Sequence, residues 1–225
     1  YSIRELSSIE VEDSLRYMED TFHLFEGYVG EYYYDYFTLE YGYYYGMESS
    51  AVIYCSEEIS EGTVVHEVIH QWFYSIIGND QSDESFLDES LTTFVSGIYF
   101  LDIYGDEGAE GYYNYRTSLS SRFEERYQLV LGDSLLRKVP EFEDQYGYLI
   151  YYHGVSIFKY YVDNYLDGDY YYFLEILGEY YDEFNGKTAS IDQFLDLLEY
   201  ESGVDSTKEW FELQIGEVQD LSNTP

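Results

Sequence analysis

The chain has 225 residues, and its 46 acidic against 10 basic residues give a formal net charge of −36, which argues against nucleic acid and anionic lipid as partners. Its hydrophobic content of 45% excludes a disordered tail and is enough for one globular domain. The single cysteine, Cys55, excludes an internal disulfide and lies in an apolar run, and no run approaches the roughly 18 apolar residues of a membrane span.

Strand-like sequence comes first. Over residues 28–54, aromatic and β-branched residues are broken by glycines, which predicts a small sheet with residues 49–54 as one strand. After Gly62 the apolar residues recur at helical spacing until Gly78, and this pattern predicts a helix.

A second helix is predicted directly afterwards. Ser85 and Asp88 have the spacing of a capping box, and a buried stripe follows them, so Glu89 is expected near the start of this helix. Further helical patterns cover residues 108–127, 145–166, 169–182, 190–201 and 205–215. There is no repeat of fixed period, and an internal boundary, if the chain has one, is expected at 130–144.

The segment that carries chemistry is 66–70, which reads HEVIH. On a helix, His66 and His70 stand one turn apart on the same face, where both imidazoles can reach one metal ion. Glu67 is offset from that face, which suits a carboxylate that does not ligate the metal but takes the proton of an attacking water. A catalytic zinc needs three protein ligands and one open position, so a third ligand is expected elsewhere.

Glu89 is the candidate for the third ligand, since it follows His70 by nineteen residues and would face back across a short connection. A carboxylate is also expected to orient a zinc-binding imidazole from behind, and either Asp83 or Glu84 could do so. His23 and His153 have no partner at metal-ligand spacing, so both are interpreted as structural histidines.

These residues resemble the gluzincin metallopeptidases, specifically the aminopeptidase N type. Residues 66–73, HEVIHQWF, and 86–89, FLDE, are similar to the zinc signature of that family and its third ligand. The resemblance covers about residues 33–185. It implies one catalytic Zn²⁺ and an α+β, thermolysin-like catalytic domain, in which a small mixed β-sheet is followed by a mostly helical half.

The whole chain, 1–225, is therefore interpreted as one catalytic domain cut from a longer polypeptide. Its N-terminal β lobe is expected over about 28–60 and its helical part over about 61–215. The peptide substrate and further domains of the parent protein are the expected partners. The acidic composition and the single cysteine favour a secreted or cell-surface parent protein. A cytoplasmic parent is the alternative.

Upstream, Gly46, Met47 and Glu48 resemble the exopeptidase strand motif of the family, which implies that they bind substrate and that Glu48 binds its free α-amine. Tyr45 and Ser49 depart from the usual glycine and asparagine of this motif.

Downstream, residues 151–154, YYHG, resemble the tyrosine motif of the family, which implies that Tyr151 donates a hydrogen bond to the oxyanion. Tyr152 and Tyr148 are the alternatives, and His153 stands where the family usually has lysine.

The predicted function is zinc-dependent hydrolysis of peptide bonds, with release of N-terminal residues. One alternative is a metalloendopeptidase of the same clan, for which Glu48 would be an ordinary edge-strand residue. The other is a non-catalytic module that keeps zinc for stability or recruits a partner through its acidic surface. Glu67 beside three ligands argues against that module, because a structural zinc site usually closes all four positions with protein.

Overall fold

The structure is a computed structural model that describes residues 7–42, 45–56, 60–81, 84–124 and 147–215. The helices are α1 (Ser8–Tyr28), α2 (Glu61–His70), α3 (Leu91–Glu124), α4 (Gly154–Tyr165), α5 (Tyr170–Phe184), α6 (Ile191–Ser202) and α7 (Thr207–Ile215). The strands are β1 (Thr38–Gly42), β2 (Gly46–Ser49) and β3 (Val52–Ser56), and π-helical turns cover Gln71–Ile76, Phe86–Ser90 and Leu149–His153. The predicted α+β class, a small sheet followed by a mostly helical part, is confirmed.

Helix α1 covers a segment in which the sequence predicts no helix. It begins at a capping box, because Ser7 and Glu10 each bind the backbone N–H of the other. The buried stripe of α1 includes Ser14, Met18, Thr21, Leu24 and Phe25. Two of these side chains are hydroxyls that donate to carbonyls one turn back, so the apolar periodicity of the helix is weak.

The sheet is mixed, with the strand order β1-β3-β2; β1 pairs parallel to β3 and β2 pairs antiparallel to it. The prediction of one strand over residues 49–54 is wrong, since β2 ends at Ser49 and the chain turns through Ser50 and Ala51 before β3. Ala51 has a φ of 61° in this turn. Residues 29–37 form no strand either, and the result is a short sheet with β2 at one edge.

Helix α2 and the π-helical turn after it form the predicted helix that carries HEVIH. Ser60 caps α2 by accepting a hydrogen bond from the N–H of Thr63. Trp72 is fully buried and donates its indole N–H to the carbonyl of Gly30 at 2.8 Å. The rings of Phe22 and Phe25 pack on Trp72, so α1 supports the turn that follows α2.

The capping box predicted at Ser85 and Asp88 is wrong. Ser85 already has helical dihedral angles and makes no capping hydrogen bond with its side chain, whose Oγ donates instead to the carbonyl of Gln81 at 2.7 Å. The segment begins with a π-helical turn, continues as α3 and bends at Gly105, where φ is 69°. Residues 125–146, which contain the expected boundary at 130–144, lie outside the described residues.

The remaining helices, α4 to α7, confirm the four predictions for 145–166, 169–182, 190–201 and 205–215, apart from 145–146, which are not described. Their apolar faces join one core with α1, α2 and α3. In the connection between α5 and α6, the carbonyl of Lys187 accepts a hydrogen bond from the N–H of Gly78 at 2.9 Å, which holds the loop after the first π-helical turn against the helical part. Among the described helices, none is both long and apolar enough to cross a membrane.

Candidate active site

The three predicted metal ligands converge on one point. Nε2 of His66 lies 3.0 Å from Nε2 of His70 and 3.1 Å from Oε2 of Glu89, and the distance from His70 Nε2 to Glu89 Oε2 is 3.4 Å. The two histidines come from α2, and Glu89 comes from the π-helical turn before α3. Two imidazoles and one carboxylate are a donor set typical of catalytic zinc, which keeps a further position open. The residues present therefore fit a catalytic zinc ion.

Asp88 holds His70 from behind. Its Oδ1 lies 2.9 Å from Nδ1 of His70, and both side chains are almost fully buried. The sequence predicts Asp83 or Glu84 in this role, but Asp83 lies outside the described residues and the carboxylate at His70 is that of Asp88. In the sequence, the spacing of Asp88 from Ser85 suggests a helix cap. This pattern hides the contact of Asp88 with His70. A carboxylate on the second imidazole nitrogen fixes the tautomer and makes the ligand more basic.

The electrostatics of the three ligand positions favour a cation. Burial alone lowers the pKa of His70, but the carboxylates of Asp88 and Glu89 outweigh it and raise that pKa well above its ordinary value. For Glu89 the burial raises the pKa, and the hydrogen bonds with both imidazoles outweigh it and bring the pKa well below its ordinary value. The site thus holds an ionised carboxylate beside nitrogens that attract positive charge.

Glu67 lies beside this cluster and is only 6% exposed. Within the described part of the chain, its Oε2 is buried without a hydrogen-bond partner. Burial raises the pKa of Glu67 to about 6, a rise to which Glu48 and Glu89 contribute. The two imidazoles oppose it. A carboxylate with a raised pKa close to neutrality is suited to general base catalysis.

Strand β2 places the predicted substrate-binding residues in two different ways. One carboxylate oxygen of Glu48, one of Glu67 and one nitrogen of His70 all lie within 4.8 Å of one another. Gly46 lies against the same carboxylate of Glu67, because a Cβ at Gly46 would stand 2.9 Å from the Glu67 Cδ. Met47, between them, points to the other face of the strand and is 42% exposed. Glu48 and Gly46 are therefore part of the cluster, and the Met47 side chain is not.

Gln71 fixes this strand relative to α2, a role that the sequence does not reveal. Its Oε1 accepts a hydrogen bond from the N–H of Ala51 at 2.9 Å, and its Nε2 donates to the carbonyl of Ser49 at 3.1 Å. Because Gln71 directly follows His70, the turn between β2 and β3 is attached to the residue next to a predicted metal ligand. This attachment sets the distance between Glu48 and the metal site.

Tyr151 packs near the predicted ligand His66, since the centroids of the two rings lie 5.9 Å apart. The alternatives pack elsewhere: Tyr152 contacts Tyr115 and Tyr148. The π-helical turn that carries Tyr151 is bound to the turn that carries Glu89, because the Oγ of Ser90 donates to the carbonyl of Ile150 at 2.8 Å. The two turns therefore hold Tyr151 and Glu89 in a fixed relation.

All three described π-helical turns adjoin or carry site residues. The first follows His70, the second contains Asp88 and Glu89, and the third contains Tyr151. A π-helical turn changes the direction of successive side chains, and such turns are frequent at functional sites. This explains how the adjacent residues Asp88 and Glu89 both reach His70.

The other two histidines take no part in the cluster. His23 is exposed on α1, and His153 binds the Oγ of Ser120 through Nδ1 at 3.1 Å. Within the described residues, neither belongs to a group of side chains that could hold a metal ion. Cys55 is fully buried in β3, and burial raises its pKa to about 12, as expected of a core residue.

Known proteins share both the sequence pattern and the fold. The chain is 30% identical over 122 residues to "Probable aminopeptidase 1" of Sulfurisphaera tokodaii, an alignment that covers 50% of this chain and 14% of that protein. The M1 zinc metallopeptidase of Deinococcus radiodurans superposes with a TM-score of 0.67 at 16% identity, covering 98% of this chain and 47% of that one. Native leukotriene A4 hydrolase of Saccharomyces cerevisiae superposes with a TM-score of 0.72 at 16% identity, covering 92% of this chain and 36% of that one.

The structural likenesses establish the fold, and the chain spans less than half of each of these proteins. The model of the peptidase family M1 domain matches residues 47–219, well over half of the chain, including all of the clustered residues except Gly46. The predicted resemblance to the aminopeptidase N type of gluzincins is confirmed, and the chain belongs to peptidase family M1.

Proposed function

We propose that the chain is the catalytic domain of a zinc aminopeptidase, which hydrolyses the peptide bond after the N-terminal residue of its substrate. The observation that carries this proposal is the position of Glu48. Its carboxylate lies within 4.8 Å of groups on Glu67 and His70, so an anion is available next to the reacting groups. A protonated α-amine is the part of a peptide that such an anion would bind, and it would place the first peptide bond at the metal site.

His66, His70 and Glu89 would hold the zinc, which when bound supplies a Lewis acid for the scissile carbonyl and for the attacking water. Glu67 takes the proton of that water at Oε2, which is buried without a hydrogen-bond partner among the described residues. The same carboxyl then passes the proton to the nitrogen of the leaving peptide. The tetrahedral intermediate carries a negative oxygen, and the phenol of Tyr151 donates a hydrogen bond to it.

Strand β2 would align the substrate. It lies at the edge of the described sheet and pairs only with β3 there, so its outer side can accept an extended peptide as an additional strand. Glu48 would then bind the amine while the backbone of Gly46 and Met47 pairs with the peptide. We further propose that the chain works within a longer polypeptide, a view that its 14% coverage of the aminopeptidase relative supports.

Paired peptides test this function. With zinc added, the chain is expected to cleave an unblocked peptide and to leave the same peptide intact when its amino terminus is acetylated. Glu48→Gln is expected to lower kcat/KM for the unblocked peptide about 10- to 100-fold, the range for a charged hydrogen bond. Glu40→Gln, which changes an exposed carboxylate on β1, is the matched control and should behave as the parent chain.

Three results would contradict the proposal in different ways. Cleavage of the acetylated peptide at internal bonds would identify a metalloendopeptidase. Zinc binding without cleavage of either peptide would favour the non-catalytic module. Equal rates for Glu48→Gln and the parent chain would remove Glu48 from the amine subsite.

Tyr151→Phe tests the oxyanion role. The variant loses one hydroxyl group and is expected to lower kcat about 100-fold, because one donor to the oxyanion is removed. Tyr152→Phe is the control, since Tyr152 packs on Tyr115 and Tyr148 and should retain nearly full activity. If Tyr152→Phe is the slower variant, the assignment of the two tyrosines is reversed.

A further inference from the structure

Gln81 joins two carboxylates of the candidate site that belong to different elements. Its Nε2 donates to Oε1 of Glu48 at 2.8 Å and to Oδ2 of Asp88 at 2.7 Å. A glutamine amide has two N–H donors, so both are used. One side chain therefore contacts the group that faces the substrate amine and the group that orients the metal ligand His70.

The backbone of Gln81 is bound to the start of the next helical segment. The carbonyl of Gln81 accepts a hydrogen bond from the Oγ of Ser85 at 2.7 Å, and Ser85 is buried at the start of the turn that contains Asp88. The Gln81 side chain is partly buried between β2 and this turn. Both the backbone and the side-chain amide of Gln81 are hydrogen-bonded. The amide can therefore fix the positions of the two carboxylates that it contacts.

Charge explains why a neutral donor suits this place. Glu48 and Asp88 each have an oxygen within 2.8 Å of the same nitrogen, so the two carboxylates approach each other closely. Two carboxylates at such a separation repel, and without a donor between them each would turn away or take up a proton. The amide N–H groups stabilise both ions and leave Oε2 of Glu48 for a cation and Oδ1 of Asp88 for His70.

We propose that Gln81 is a positioning residue that couples the amine subsite to the zinc ligand His70, through Glu48 on one side and Asp88 on the other. The Glu48 side of this proposal rests on the proposed aminopeptidase function. The Asp88 side rests on the metal ligands alone. The two sides can therefore be tested separately.

Zinc affinity, measured by competition with a chelator, tests the Asp88 side. Gln81→Leu is expected to weaken zinc binding about 3- to 10-fold, less than the 10- to 100-fold typical of a direct outer-shell partner such as Asp88. In the background of Asp88→Asn, Gln81→Leu should have no further effect, because its partner no longer carries the charge. Gln214→Leu, which changes an exposed glutamine on α7, is the matched control.

Steady-state kinetics test the Glu48 side. Gln81→Leu is expected to raise KM for an unblocked peptide about 10-fold with a smaller change in kcat, since the amine anchor is displaced and the general base is not. Gln81→Glu keeps the shape but adds a third carboxylate, so it should impair both properties more than leucine does. Thermal unfolding of each variant shows whether it is folded.

The outcomes separate the two proposals. A parent chain that shows no preference for unblocked peptides refutes the amine role of Glu48, and the zinc measurements still decide the Asp88 side. A parent chain with that preference, together with a Gln81→Leu variant that matches Gln214→Leu in zinc affinity and KM, refutes the role of Gln81. Additive losses in Gln81→Leu with Asp88→Asn would show that Gln81 does not act through Asp88.

Discussion

Glu67→Gln is expected to lower kcat by up to about 10,000-fold while the chain still binds zinc, the upper range for removal of a general base. The amide of glutamine has the size of the carboxylate, so it fills the same buried place beside Gly46. It cannot accept a proton from water at neutral pH. The donor atoms of His66, His70 and Glu89 converge on one point without Glu67, so these three residues should keep the metal.

The measurement combines cleavage of an unblocked peptide with zinc content after dialysis. Glu175→Gln, an exposed carboxylate on α5, controls for the change of charge and should retain the parent rate. A Glu67→Gln variant with more than a tenth of the parent activity would show that another group takes the proton. A variant that loses zinc together with activity would show that Glu67 supports the metal site.

The core of the candidate site could be predicted because its chemistry is local. His66, Glu67 and His70 need only a helix to acquire their relation, and helical spacing is visible in the sequence. Glu89 is predicted from its place at the start of the next helix, but its distance from the histidines depends on how the chain returns after Gly78. In the structure the donor atoms of His66, His70 and Glu89 converge and Glu67 lies beside them, while the roles of the four residues stay predictions.

The residues that the sequence did not reveal act through tertiary contacts. Asp88, Gln71 and Gln81 contact partners on other elements, and no local pattern predicts these contacts. The π-helical turns have no simple periodic signal in the sequence. The spacing of Ser85 and Asp88 therefore predicted a capping box, although this segment begins with a π-helical turn. Helix α1 was missed because two positions of its buried stripe, Ser14 and Thr21, are hydroxyls bonded to the helix backbone.

Glu89→Ala is expected to weaken zinc binding by more than about 100-fold, beyond the range for partners that only orient a ligand. The change removes the single carboxylate of the three ligands and leaves two imidazoles, of which His70 is buried beside the negative charge of Asp88. Asp88→Asn keeps all three ligands and should lose about 10- to 100-fold. Glu84 is a residue that the sequence offers for orienting a zinc-binding imidazole. Glu84→Ala should bind zinc as the parent chain does.

Thermal unfolding tests the same ranking of zinc affinities independently. A ligand that binds only the folded state stabilises it by about 2.7 kcal/mol at a free concentration of 100 times its dissociation constant. Zinc at that concentration should therefore raise the Tm of the parent chain clearly, raise that of Asp88→Asn less, and leave that of Glu89→Ala almost unchanged. An equal zinc-dependent rise in Glu89→Ala and the parent chain would remove Glu89 from the metal site, because a ligand cannot be lost without loss of the stabilisation that it provides.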